Sequence, residues 1–64
     1  MIKVNGIQKE ISGISVNKFL LQENYDTKRI AVEVNGEIVP KSHYENTILN
    51  DGDSVEVVSF VGGG

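Results

Sequence analysis

The chain has 64 residues, nine acidic and six basic, with a formal charge of −3 and no cysteine. That length allows a single domain, close to the lower limit at which one hydrophobic core holds a chain together without staples. The missing cysteines exclude a disulfide, a thiolate nucleophile and a structural zinc site, and an acidic balance without clustered Lys and Arg argues against a nucleic-acid partner.

The first residues, Met1-Ile2-Lys3-Val4-Asn5-Gly6, lack the apolar run of a signal peptide, and no stretch of the sequence is long and apolar enough to span a bilayer. A cytoplasmic protein without a membrane partner is expected. Ile2 and Val4 alternate with Lys3 and Asn5, and Ile7, Lys9 and Ile11 alternate with Gln8 and Glu10. Asn5-Gly6 stands between the two runs, where a two-residue hairpin turn needs positive φ, so the first two strands form a hairpin. Ser12-Gly13 breaks the pattern.

Val16, Phe19 and Leu20 then follow the i, i+3, i+4 spacing of a buried helical stripe, with Asn17, Lys18 and Gln22 on the other side. The expected helix covers about residues 16 to 23, with Ser15 as N-cap and Asn24 as a left-handed C-cap. Lys18 occupies the third helical position, so there is no capping box. Helices shorter than about 12 residues are marginal in water, so this one needs a sheet to pack against.

Arg29 to Val34 returns to alternation, with Ile30, Val32 and Val34 as the core face, and a second Asn-Gly pair, Asn35-Gly36, leads into a short strand, Glu37-Ile38-Val39. Pro40 cannot donate to a ladder, which makes that strand an edge. Ser42-His43-Tyr44-Glu45 reads as a helical turn, Ile48 and Leu49 as core plugs, and Asn50-Asp51-Gly52-Asp53 as a tight turn into the last strand. The expected core is Ile2, Val4, Val16, Phe19, Leu20, Ile30, Val32, Val34, Leu49, Val55 and Val57.

In the last strand, alternation puts Val55, Val57, Ser59 and Val61 on one face and Glu56, Val58 and Phe60 on the other. Glu56 marks the second face as solvent-facing. Val58 and Phe60, with Val61 beside the tail, are therefore the expected partner surface, since exposed apolar residues on a small protein commonly mark one. A β-bulge that turns Phe60 back into the core is the competing reading.

Two candidate sites carry little chemistry. His43 lies near Tyr44, Glu45 and Asp51, but a lone histidine in a polar turn is more often structural or inert, so no catalytic residue and no metal site is assigned. Neither Asn-Gly pair precedes a helix N-terminus able to bind a phosphate, so both are read as turns.

The strand runs without a turn into Gly62-Gly63-Gly64. Glycine has no Cβ, so such a tail can lie extended in a channel too narrow for side chains. Its terminal carboxylate is unhindered, an anion at neutral pH, and has no stereocentre to scramble when activated. Read alone, three terminal glycines are more often a frayed end or a low-complexity linker than a substrate.

Ile30-Ala31-Val32-Glu33-Val34-Asn35-Gly36-Glu37-Ile38-Val39-Pro40-Lys41-Ser42, then Gly52-Asp53-Ser54-Val55-Glu56, then the glycines, together resemble the ThiS family of sulfur carriers in thiamin (thiazole) biosynthesis. The central block is the specific part. A terminal Gly-Gly is shared with ubiquitin and with the small subunit of molybdopterin synthase, whereas the strand, turn and Ile-Val-Pro run is characteristic of the thiazole pathway. Many relatives have Arg where this chain has Lys41.

The resemblance implies an α+β, ubiquitin-like β-grasp fold: a mixed sheet of four to five strands covered on one face by a single helix, with the first and last strands parallel in the middle. Residues 1–61 would form that domain and 62–64 a flexible glycine tail. It also implies a mechanism in which a ThiF-like adenylating enzyme uses ATP to turn the Gly64 carboxylate into an acyl-adenylate. Sulfur from a cysteine-derived persulfide donor displaces AMP, and the thiocarboxylate gives its sulfur to a ThiG-like thiazole synthase. Gly62 and Gly63 would thread the partner's channel, and the carrier itself would bind no cofactor and supply no catalytic side chain. Two other readings stay open: a ubiquitin-like modifier joined through Gly64 to lysines, and a carrier for another pathway such as molybdopterin synthesis.

Overall fold

A computed structural model describes residues 1–60; Val61, Gly62, Gly63 and Gly64 lie outside the described residues. The two Asn-Gly pairs frame its sheet. Asn5 and Gly6 have φ of 49° and 84°, and Asn35 and Gly36 have φ of 53° and 83°. Two consecutive positive φ values match the right-handed twist of an antiparallel pair. The chain therefore reverses from β1 (Ile2–Val4) into β2 (Ile7–Lys9), and from β4 (Ile30–Val34) into β5 (Glu37–Val39).

The last strand, β7 (Ser54–Ser59), lies between the hairpins. It pairs parallel with β1, Val4 beside Val55, and antiparallel with β4, from Ile30 beside Ser59 to Val34 beside Val55. The resulting order is β2-β1-β7-β4-β5, a mixed five-stranded sheet with the first and last strands adjacent and parallel, as the resemblance implies. Both turn asparagines also bond to β7 or its approach. The Asn5 side-chain carbonyl accepts from the Val57 N–H at 2.9 Å while its amide donates to the Val57 carbonyl at 3.4 Å. Asn35 Oδ1 accepts from the Ser54 N–H at 3.0 Å, and its amide donates to Asp53 Oδ1 at 3.0 Å. Each side chain thus extends the ladder beyond the point where its own backbone has turned away.

One helix, α1 (Val16–Gln22), covers one face of the sheet. Ser15 Oγ accepts from the Lys18 N–H at 3.1 Å, as expected of an N-cap. The helix stops at Gln22, with Glu23 as the cap residue, and Asn24 follows with φ of 61°. The Asn24 N–H donates to the Leu21 carbonyl at 3.2 Å and the Tyr25 N–H to the Leu20 carbonyl at 3.0 Å, which is the Schellman arrangement with Asn in place of Gly. Tyr25 completes it by packing toward Phe19, ring centroids 6.2 Å apart. At seven residues α1 is too short to persist alone; Val16, Phe19 and Leu20, all fully buried, hold it on the sheet.

Several features depart from expectation. Ile14–Ser15 forms β3, which pairs antiparallel with β6 (Ile48–Leu49) in a separate two-stranded sheet. Neighbouring residues in a strand face opposite sides, so Leu49 is buried while Ile48 is 45% exposed and is not a core plug. Val34, at the end of β4, is only partly buried and packs against the core from its edge. Tyr44, expected in a polar turn, is instead 4% exposed and joins the core. The turn itself is a 3-10 helix over Lys41–His43, one residue earlier than the spacing suggests. Its position is fixed by the Asn17 N–H, which donates to the Tyr44 carbonyl at 2.9 Å. Elsewhere the core has the expected members, each contributing roughly 1.5–3 kcal/mol by leaving water.

Candidate functional site

β7 carries the chain from the core toward the glycines, and its character changes along its length. Val55 and Val57 point under α1 and are buried. Ser59 has the same parity yet is exposed, so the covered core ends before it. On the opposite face Glu56 stands beside Glu33, whose other neighbour is Ile38 on β5, and Val58 stands beside Ala31. Val58 is 47% and Phe60 57% exposed. The Phe60 N–H donates to the Arg29 carbonyl at 2.7 Å, so its backbone stays tied to the start of β4 while its ring remains outside. No bulge returns Phe60 to the core. The other expected site residues, Val61, Gly62, Gly63 and Gly64, lie outside the described residues.

The outer face thus grades along β7. Its middle is acidic at Glu33 and Glu56, two like charges directly opposite, an arrangement that costs rather than contributes stability. Beyond them it becomes apolar. At the end of the sheet where β7 finishes come Lys28 and Arg29 before β4, and Lys41 after β5. Arg29 Nε lies 3.6 Å from Asp26 Oδ2.

His43 is not gathered into a side-chain constellation. It is exposed, and the bonds it makes come from its backbone: its carbonyl accepts from the Thr47 hydroxyl at 2.8 Å and from the N–H groups of Asn46 and Thr47. Burial pushes the neighbouring Tyr44 phenol above its ordinary value of 10.0. Among the described residues no three His, Asp or Glu side chains are placed to hold one metal ion, and no helix is long and apolar enough to cross a membrane.

The arrangement offers a rigid domain, an apolar strand end and a chain running onward into glycines, and comparison with known proteins says what such an arrangement is. The family model described as ThiS family matches residues 2–64. The chain belongs to the ThiS family. It is 36% identical over 67 aligned residues to the sulfur carrier protein ThiS of Bacillus subtilis, covering all of both chains. It is also 45% identical over 62 residues to a thiazole synthase of Paramagnetospirillum magneticum, covering 95% of this chain but 19% of that protein. The crystal structure of the thiamine biosynthesis protein ThiS from Geobacter metallireducens superposes with a TM-score of 0.81 at 30% identity, over 98% of this chain and 97% of that one. The fold is therefore the ThiS β-grasp, and the family is one of small sulfur carriers in thiamin biosynthesis rather than of catalysts. Of the candidate site residues, the exposure of Val58 and Phe60 was legible from alternation; the grading of charge along the outer face was not, because it depends on which strands lie side by side.

Proposed function

We propose that this ThiS-family protein carries sulfur on the Gly64 carboxylate. An adenylating enzyme, ThiF-like in the resemblance, converts that carboxylate with ATP into an acyl-adenylate, giving the acyl carbon a good leaving group. The outer sulfur of a persulfide donor then displaces AMP to give an acyl disulfide, and a thiol of the sulfur-transfer machinery attacks its S–S bond, releasing the thiocarboxylate and leaving the donor cysteine in a disulfide. The thiocarboxylate, a stronger nucleophile than the carboxylate it replaces, passes its sulfur to a thiazole synthase. Gly62 and Gly63 thread the narrow channel of either partner, Val58, Phe60 and Val61 seat against its mouth, and the whole sequence runs in the cytoplasm. ATP is used by the partner, and the carrier binds no cofactor of its own.

The observation that carries this reading is that two exposed apolar side chains, Val58 on β7 and Phe60 just past its end, lie close before the glycines, in a chain whose family is that of the sulfur carriers. Occurrence of a similar segment within a protein named thiazole synthase supports that enzyme as the recipient. The test is intact-mass analysis of the protein after incubation with its adenylating enzyme, ATP and a sulfur source. One species with sulfur in place of one carboxylate oxygen, mapped to Gly64, is expected. A ladder of higher-mass conjugates through lysines would replace the carrier with a modifier, and sulfur transfer to a molybdopterin precursor but not to thiazole synthase would reassign the pathway.

A further inference from the structure

The connection between α1 and β4 meets the turn after β5 at the end of the sheet where β7 finishes, because Ile30 stands beside Ser59 and Val39 beside Val32. An open cleft of about 350 Å³ lies there. It is lined by Asn17 from α1, by Thr27 and Lys28 from the connection, and by Lys41, Ser42 and Tyr44 from the turn. The helix and the turn are pinned together by two backbone bonds, Asn17 N–H to the Tyr44 carbonyl at 2.9 Å and Val16 N–H to the Thr47 carbonyl at 2.8 Å. This part of the cleft wall is built into the fold.

Its side-chain donors have no protein partner among the described residues. Among the described residues no group hydrogen-bonds the Tyr44 hydroxyl, and no side-chain oxygen or nitrogen is both buried and unpaired. Tyr44, 96% buried, thus lines the cleft with a hydroxyl that no described residue occupies. Neither Lys28 nor Lys41 lies within ion-pairing distance of a carboxylate among the described residues, although Glu45 also lines the cleft.

We propose that this cleft is the socket for an acidic side chain, an Asp or Glu of the enzyme that adenylates the tail. Two ammonium groups supply the charge, and the Tyr44 and Ser42 hydroxyls supply directed hydrogen bonds to a carboxylate. Complementarity favours this occupant. The cleft's two lysines outnumber its one carboxylate, Glu45, on a protein of net charge −3, and the middle of the outer face, at Glu33 and Glu56, repels the same partner. An acidic enzyme surface is therefore drawn to the end of the sheet from which the chain runs on to the glycines, and is turned away from the centre. The inference rests on reading the tail as the substrate of adenylation, and it names the contact that orients the domain for that step.

The experiment is ATP–pyrophosphate exchange by the adenylating enzyme of the same cell, with this protein as varied substrate and salt as a second variable. The double variant Lys28→Glu, Lys41→Glu is expected to raise KM on the order of tenfold, leave kcat within about twofold and flatten the dependence on salt. Tyr44→Phe keeps the ring in the core and is expected to raise KM about threefold. Thermal melts of both variants should match wild type, because the charges are exposed and the ring is retained. An unchanged KM and salt dependence in the double variant, with wild type exchanging normally, overturns the socket while leaving the tail reading intact. Failure of wild type to exchange at all overturns the tail reading and the socket with it. Saturable movement of the cleft's amide resonances by pyrophosphate below about 1 mM would make the cleft a phosphate site and also overturn the proposal.

Discussion

The two halves of β7 are built from similar residues and behave differently. Val55 and Val57 lie sealed under α1, whereas Val58, and Phe60 just past the strand's end, stand in solvent. Alternation accounts for part of this, since Val58 and Phe60 face away from the helix. Ser59 shows that it does not account for all, because it faces the helix side and is still exposed. The core stops and the strand continues. The first half of β7 therefore holds the domain together, and the second half presents apolar side chains that contribute nothing to that core. A protein this small, with few apolar residues to spare, gains from such exposure only if something else covers it.

The comparison breaks most easily from its buried side. Phe19→Ala removes the largest fully buried side chain, the one that carries α1 onto the sheet, and should cost about 3–5 kcal/mol in a denaturant titration. Domains of this kind have only about 5–15 kcal/mol in total, so much of the stability would go. A variant as stable as wild type would show that α1 does not seal Val55 and Val57.

Next in size is Asn5, which is tied to the inner half of β7 through Val57. Asn5→Ala loses both bonds and must hold positive φ without the polar side chain that makes Asn tolerant of it, an expected loss of about 2–3 kcal/mol. Asn5→Gly keeps the turn and loses the bonds alone, at about 1 kcal/mol. Equal losses in the two variants would assign the whole effect to the bonds. Ser15→Ala, at the start of the covering helix, should cost about 1 kcal/mol by thermal melt. No loss would mean that packing alone sets where α1 begins.

The smallest stability effect belongs to the outer half. Phe60→Ser should leave stability within about 0.5 kcal/mol while raising KM in the adenylation assay. A large fall in stability would place the ring in the fold after all and erase the distinction between the halves.

Much of this was legible because single residues carried strong local chemistry. Asn5-Gly6 and Asn35-Gly36 announce their turns, Ser15 and Asn24 bracket α1, and the spacing of Val16, Phe19 and Leu20 fixes its buried face. The β3–β6 pair escaped because two residues carry no period, and for the same reason Ile48 was grouped with Leu49. Tyr44 escaped because its neighbours are polar and its burial depends on α1 folding over it, a contact the local sequence does not encode. The second role of the turn asparagines and the cleft between Lys28 and Lys41 depend equally on strands distant in sequence. At the candidate site, alternation was enough to expose Val58 and Phe60, while Gly64 was singled out by its chemistry and by family resemblance.

The most direct test lies at the end of the tail. A variant with one residue appended after Gly64, verified by mass as unprocessed, places the reacting carboxyl in an amide without touching the described domain. It should melt as wild type does and fail to acquire sulfur from the adenylating enzyme, ATP and a sulfur source. Acquisition as fast as wild type would contradict the assignment of Gly64 as the residue that carries sulfur.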